Sequence, residues 1–366
     1  MSLSKIFTKR STKHLAALTG LALAATLTAC GSGAPGASAD GTSNVRMQTY
    51  ASGSYYLGYV TDKLGNFKKE GVNVEFIDVN SGTQAANGLL SGSLDMAVLN
   101  PFIVQPLLAQ GQKLQVVSGY KGPNSPLIGS KEFTDTSWPK SLLQLKGKTI
   151  GVVALGGTEQ QLCQIALRGA GLANDDYTFV ATGTSQGAGA ALENGNTDAA
   201  CLSDAPAAAL VADGFPRLFS FTDRTSPDST YTPEILAIDK HFSYSQVWAK
   251  PDWATNNAET VTKIRTAMAE TIEWMNDPAN LDELISILTN SQFRVQTLSE
   301  EEFAKYVEGS IKLNSVVFSQ QTGDIWMKMA AESGKGDMPP VDTWVNSTTP
   351  ATQADVDQLL AAPPTN

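Results

Sequence analysis

The sequence predicts an α/β protein of two lobes, each built on a mainly parallel sheet, and three observations lead there. Two passages, GSLDMAVLN from Gly92 to Asn100 and GNTDAACLS from Gly195 to Ser203, share the pattern Gly-x-x-Asp-x-Ala-x-Leu. The same offset pairs Gly53 with Gly156, Phe76 with Phe179, Leu89 with Leu192, Ala109 with Ala212 and Gly111 with Gly214. An ungapped match over such a length reads as an internal repeat rather than as chance turn chemistry. Within each copy, short runs rich in β-branched and aromatic residues alternate with helix-period segments, the signature of right-handed βαβ units.

The first copy opens with the strand VRMQTY, starting at Val45, and a helix carrying Leu57, Val60, Leu64 and Phe67 at helical spacing. Then come the strand VEFIDV, a short helix over Ala85 to Leu90, the strand DMAVL, another helix, and the strand LQVVSGY ending at Tyr120. The second copy repeats this order with KTIGVVA, a helix with Leu162, Ile165 and Ala166, YTFVAT, a helix near Gly189 to Leu192, DAACL, a helix starting near Pro206, and RLFSF. Pro, Gly and Ser punctuate Lys121 to Gly147, which reads as a crossover, and a polar stretch from Thr222 to Lys240 leads out of the second copy. Beyond Trp248 the pattern is helical: Ala258 to Asn276, Leu281 to Leu288, and a helix opened by the capping box Ser299-x-x-Glu302. These helices are expected to pack on the first lobe. The Pro- and Thr-rich end, Gly334 to Asn366, with a short helical stretch near Ala354 to Leu360, is expected to wrap the surface or fray.

Ahead of the first copy lie Lys5, Lys9, Arg10 and Lys13 without any acidic residue, then an apolar run from Leu15 to Ala29. That run is shorter than the about 20 residues that span a bilayer, which gives a signal-peptide layout over residues 1–29. Leu27-Thr28-Ala29-Cys30 resembles the bacterial lipobox, which implies cleavage before Cys30, its acylation, and a slack tether over residues 30–44. The remaining organisation reads as a discontinuous first lobe, 45–121 and 245–366, and a second lobe with crossovers, 122–244. Losing those basic groups makes a formal net charge of −10 still more negative, which argues against nucleic acid as a partner. Cys163 and Cys201 are left as either a disulfide formed outside the cytoplasm or two buried thiols.

In parallel sheets ligands bind beyond the carboxyl ends of the strands. The loops at those ends supply the candidate ligand-binding residues: Ser54, Tyr55, Ser81, Gly82, Thr83, Asn100 and Pro101 from the first copy, and Gly157, Thr158, Ser203 and Asp204 from the second. Gly, Ser and Thr begin helices while leaving backbone N–H groups open, and such N-termini favour an anion. Tyr55 stands at a helix start and is the aromatic candidate; Tyr56 reads as core, and Tyr244 sits in the returning segment HFSYSQVW. Lys121, directly after a strand, reads as solvated, with the alternative that it supplies one positive charge to the cleft. Asp204 would repel an anion unless it has a partner or the ligand has a donor. Asp95 and Asp198 precede strands and read as structural turn residues.

Catalysis lacks its usual parts. With His14 and His241 the only histidines, no His-based metal site can be built beyond a lone ligand. No Gly-x-Ser-x-Gly elbow is present, and Gly183 to Gly189 lacks the Gly-Lys-Ser/Thr ending of a phosphate loop. No catalytic residue, cofactor or metal is expected.

Tyr56 to Val79 resembles the opening of the solute-binding proteins of nitrate, taurine and alkanesulfonate ABC importers, the NMT1/THI5-like family. Its phrase "G-F-F-x-x-E-G-L-x-V" is matched by Gly65-Asn66-Phe67-Lys68-Lys69-Glu70-Gly71-Val72-Asn73-Val74. Ser81-Gly82, Leu90 to Asp95 and Leu145 to Val152 also sit where that family has theirs, so the resemblance covers Val45 to Leu288. It implies a type II periplasmic-binding-protein fold, two lobes joined by two crossovers, with a ligand held between them that the resemblance does not fix, since members carry sulfonates, nitrate, aromatic acids or pyrimidines; the open helix N-termini point to a small organic anion, a sulfonate, an aromatic or other carboxylate, or a nitrate-like ion. It further implies a monomer, lipid-anchored on the outer face of the bacterial cell membrane, that delivers the anion to an ABC permease and its ATPase. The alternatives are a pyrimidine-synthesising or other small-molecule enzyme on the same fold, weakened because the Cys-rich motif of those relatives is missing, and a ligand sensor.

Overall fold

In the computed structural model, which describes residues 42–361 apart from 52, 80, 124, 239–241 and 334–335, the repeat in the sequence is a repeat of backbone. The signal peptide, Cys30 and most of the tether lie outside the described residues, as does His241. Strands β1 (Ser43–Gln48), β2 (Val72–Phe76), β3 (Met96–Leu99) and β4 (Gln115–Lys121) recur as β6 (Thr149–Val152), β7 (Thr178–Ala181), β8 (Ala199–Cys201) and β9 (Arg217–Phe219). Two further strands, β5 (Leu127–Gly129) and β10 (Ser245–Ala249), follow the two copies. The sheets run β2-β1-β3-β10-β4 and β7-β6-β8-β5-β9, the same order twice. β1 is parallel to β2 and β3, and β6 to β7 and β8. β10 lies antiparallel between β3 and β4, and β5 antiparallel between β8 and β9.

Each sheet is therefore mainly parallel with one reversed strand inserted. The sequence reading left both inserted strands inside connecting segments. They are short and buried on both faces, so they carry no alternation for a periodicity reading to find.

The helices of the first copy are α1 (Leu57–Lys63), α2 (Asn66–Lys69), α3 (Gly82–Ser91) and α4 (Pro101–Ala109). A short α5 (Lys140–Leu143) lies in the crossover, and α6 (Thr158–Ala170), α7 (Ser185–Glu193) and α8 (Asp204–Ala212) belong to the second copy. Then follow α9 (Pro233–Ala237), α10 (Pro251–Asn256), α11 (Ala258–Asn276), α12 (Leu281–Thr289), α13 (Glu300–Ile311), α14 (Gln320–Glu332) and α15 (Gln353–Ala361). All described residues belong to one compact unit.

Equivalent residues do equivalent work in the two copies. Asp95 accepts the Arg46 N–H at 2.8 Å, returns its own N–H to the Arg46 carbonyl at 2.9 Å, and pairs with the Arg46 guanidinium. Asp198 repeats both bonds at Thr149, each 2.8 Å, and pairs with Lys148. Both carboxylates thus fasten β1 or β6 to the loop that leads into the central strand beside it. Ser81 and Thr184 cap α3 and α7 by accepting the N–H three residues on, from Gln84 and Gly187.

Of the C-terminal segment, expected to wrap the surface or fray, the described residues pack against the first sheet. Trp344 is fully buried and stacks on Trp248 of β10, with ring centroids 5.7 Å apart. Val345 bridges to Val116 on the edge strand β4, a covering that removes an open edge. Arg265, buried on α11, donates to the Val117 carbonyl and to Thr348, tying helix, sheet and tail together. The sequence reading did not mark α14, which Ser319 caps and whose Trp326 donates its Nε1–H to the Ser243 carbonyl at 3.0 Å.

Cys163 of α6 and Cys201 of β8 form a disulfide with Cα atoms 6.5 Å apart, within the usual range. It closes a segment of 38 residues inside the second sheet's layer. By chain entropy such a closure is worth about 4 kcal/mol. Mild reduction is expected to lower the melting temperature by several degrees, and unreduced, denatured protein is expected not to react with a maleimide at these positions. Reaction of both thiols without reductant would remove the bond from the native protein.

Candidate functional site

The carboxyl ends of the parallel strands in the two sheets face a common cavity of about 250 Å³. The first copy contributes Tyr50 after β1, Gly53 and Tyr55 in the turn to α1, and Asn100 at the start of α4. The second contributes Glu159 in the first turn of α6, Gln186 in that of α7, and Ser203 to Pro206 at the start of α8. Tyr244 completes the lining from just ahead of β10. The reversed strand explains its presence: β10 runs against β4, so its beginning lies beside the end of β4. The Tyr244 N–H donates to the Lys121 carbonyl at 2.7 Å.

Of the residues expected from sequence, Tyr55, Asn100, Ser203, Asp204 and Tyr244 line this cavity together. The others are placed elsewhere. Ser54 is fully buried beneath the turn, and Thr158 is buried in α6. Ser81 and Thr83 are exposed on α3 with Gly82 between them, Pro101 is packed at the first position of α4, and Gly157 is the N-cap of α6. Glu159 and Tyr50 were not singled out, while Gln186 lies in the strand-end loop Gly183 to Gln186 that the sequence marks for its Gly, Ser and Thr content. Glu159 lies one position beyond Thr158, where a search for cap residues does not look.

Lys121 is not solvated, contrary to the sequence reading. Its side chain is 3% exposed and its ammonium lies 3.5 Å from Asp204 Oδ2, itself 3% exposed. The ammonium also sits 4.4 Å from the centre of the Tyr55 ring. Asp204 Oδ2 accepts the Ser54 N–H at 3.0 Å and the Tyr306 hydroxyl at 3.1 Å, while Oδ1 accepts the Ala205 N–H at 3.0 Å. A carboxylate that starts a helix of the second copy is thus held by three groups of the first copy and its C-terminal extension. Gly53 makes room for it: a Cβ there would stand 2.9 Å from Asp204 Oδ1, and its φ of +60° is one that side-chain-bearing residues avoid.

Burial alone would raise the Asp204 pKa, but the Lys121 charge and the hydrogen bonds outweigh it and hold the carboxyl below its usual range. Burial draws the Lys121 ammonium down and Asp204 works against that. Burial, followed by the nearby carboxylates, pushes the Tyr306 and Tyr244 phenols well up, so both remain donors. Tyr244 donates to Glu159 Oε1 at 3.0 Å, a second link between the copies. Tyr55 shares a hydrogen bond of 2.9 Å with Ser245 and meets Tyr50 edge to face, centroids 4.8 Å apart.

A separate cavity of about 240 Å³ lies behind Asp204, between α8 and α13, walled by Ala207, Ala208, Val211, Leu298 and Tyr306. Of the candidate ligand-binding residues expected from sequence, only Asp204 reaches it. Among the described residues no group of three or more His, Cys, Asp or Glu is placed to hold a metal.

Two α/β sheets of matching order, each with one reversed strand and sharing a cavity between their strand ends, define a two-lobed periplasmic-binding-protein fold. Solved structures agree. The chain is 20% identical to a sulfonate ABC transporter's periplasmic sulfonate-binding protein from Methylobacillus flagellatus, with a TM-score of 0.66 over 88% of this chain and 96% of that one. It is 17% identical to the periplasmic aliphatic sulphonate-binding protein of Escherichia coli, TM-score 0.65, over 83% and 92%. The periplasmic nitrate-binding protein of Synechocystis is 13% identical, TM-score 0.58, over 88% and 90%. No protein of curated function matches by sequence. The family model described as NMT1/THI5 like matches residues 55–280, more than half of the chain. The chain belongs to that family.

The Asp204 cluster generates a test. Asp204→Ala leaves Lys121 buried without its partner, which is expected to cost about 3–5 kcal/mol, seen as a lower melting temperature or as a larger radius of gyration in solution scattering. Lys121→Met combined with Asp204→Asn is expected to recover most of the loss. Because the Asp204 pKa is depressed, its contribution is fully present above the ordinary carboxylate range and is lost as pH falls through the depressed value. A single variant with unchanged melting and scattering would show that the cluster does not hold the copies together.

Proposed function

We propose that this chain is the extracytoplasmic solute-binding component of an ABC importer, capturing a small organic anion between its lobes and presenting it to a membrane permease driven by an ATPase. The observation that supports this best is the cavity at the strand ends, lined from both sheets and walled by Tyr50, Tyr55 and Tyr244. α6 adds to it. Its N-cap is Gly157, with no side-chain cap, so the N–H groups of its first turn have no side-chain acceptor beside the cavity. α3, α4 and α7 are capped by their own side chains. The named ligands of the solved relatives, sulfonates and nitrate, fit an anion at such a helix end. Among the described residues no helix is long and apolar enough to cross a membrane. In this reading the attachment is an acylated Cys30 on the outer face of the cell membrane, and the working unit is a monomer.

Thermal melts against alkanesulfonates, aromatic carboxylates and sulfonates, nitrate and uncharged pyrimidines test the anion. A true ligand at about 100 times its Kd contributes about 2.7 kcal/mol, a rise of several degrees. Tyr55→Ala is expected to reduce that rise. Stabilisation by uncharged compounds alone would overturn the anion reading. For the anchor, mass spectrometry of the native N-terminus is expected to find acylated Cys30, absent in Cys30→Ser; an unmodified Cys30 in native membranes would refute it.

A further inference from the structure

We infer that the cavity behind Asp204 is a second binding site, separate from the cleft, for a small uncharged and largely apolar molecule such as a single ring bearing a hydroxyl group. Its volume of about 240 Å³ lies between helices of different lobes, α8 on one side and α13 on the other. An apolar cavity of about 150 Å³ already takes up benzene. Between Asp204 and Asp213, α8 carries only Ala, Pro, Leu and Val. Ala207 and Leu210 turn to the core of the second lobe, while Ala208 and Ala209 pack against that of the first. Val211, near the far end of the helix, lines the cavity and is 36% exposed. A helix that is apolar all round belongs in an interior. Here the interface is shut at Asp204 and stands open at Val211.

The opposite wall is kept open as well. Gly309 lies inside α13 and lines the cavity, and a Cβ built on it would meet nothing within 4 Å. Glycine weakens a helix relative to alanine, so this position forgoes helix stability where no close contact requires it. The charged groups of the wall are already matched. Asp223 pairs with Arg217 and Lys312, Lys305 with Glu301, and Asp204 with Lys121, while Glu302 accepts the Ser299 N–H and hydroxyl. Counted with these partners, four carboxylates stand against four cations, so neither an anion nor a cation finds a charge left over. Thr222 in the wall shares one hydrogen bond with Ser220 and has capacity left to hold a ligand hydroxyl. A molecule seated there touches both lobes, so it acts on the interface that Asp204 fastens without entering the cleft.

The test uses the full chain with benzyl alcohol, and with benzoate and benzylammonium as charged compounds of similar size. Calorimetry is expected to give benzyl alcohol a Kd of about 1 mM. The two ions are expected to bind about tenfold more weakly or worse, since neither finds an unmatched charge in place of its hydration. In methyl NMR spectra the signals of Ala207, Val211 and Leu298 are expected to shift with benzyl alcohol, while that of Ala205 in the cleft wall stays in place. Gly309→Leu and Ala208→Leu, which fill the cavity from its two sides, are each expected to abolish these shifts. Melting without the compound checks both folds, and Gly309→Leu is expected to melt no lower than the unaltered protein because its helix gains. No binding of benzyl alcohol up to about 20 mM, equal binding of either ion, a larger shift at Ala205 than at Val211, or shifts that survive both substitutions would overturn the inference.

Discussion

The buried carboxylate of Asp204 sets the relation between the two sheets. It begins α8, so it is rigidly part of the second lobe, yet its hydrogen-bond partners Ser54 and Tyr306 and its counter-ion Lys121 belong to the first. A charge this deeply buried is tolerated only when its pairing and hydrogen bonds are satisfied together. The position of α8 against the first sheet is therefore dictated by chemistry at one atom pair. The glycine at residue 53, the orientation of Tyr306 and the burial of Lys121 all follow from accommodating that carboxylate.

This arrangement also decides what the cleft can offer a ligand. Tyr55 carries Lys121 near its ring and hydrogen-bonds Ser245, so it is held from two sides and presents a fixed wall. Tyr244 is held by the backbone of β4 and by Glu159 across the cleft. Rigid aromatic walls placed by sheet ends, with backbone N–H groups supplied by helix starts, need little reorganisation when a small solute enters.

Much of the fold was legible because the repeat leaves a mark at every level: Gly92 and Gly195 turn the chain, Asp95 and Asp198 bind a strand start, and Ser81 and Thr184 cap equivalent helices. The inserted strands were not legible. β5 is three buried residues after a proline, and β10 is uniformly buried, so neither shows alternation. The site was read in part. Asp204 was recognised as a residue in need of a partner, because a carboxylate at a ligand loop must be compensated. Its partners could not be named, since Ser54 lies 150 residues before it and Tyr306 102 residues after it, with no local pattern to mark either. Lys121 was misjudged for the same reason: a lysine after a strand is solvated unless something distant buries it. Ser81 drew notice as a residue that begins a helix, and its side chain is spent on capping α3 instead of reaching the cavity.

The inserted strands and the tail give the two lobes different histories as the chain is made. Everything in the second sheet, from β5 to β9, comes from one contiguous stretch, so its contacts close over modest sequence separations. The first sheet waits for β10 to join β3 to β4, and for Trp344 and Val345 to cover its edge. Long-range closure of that kind is slow relative to local closure. Until β10 and the tail arrive, residues 43–121 can form only an unfinished sheet with an open edge, whereas every strand of the second sheet is already at hand.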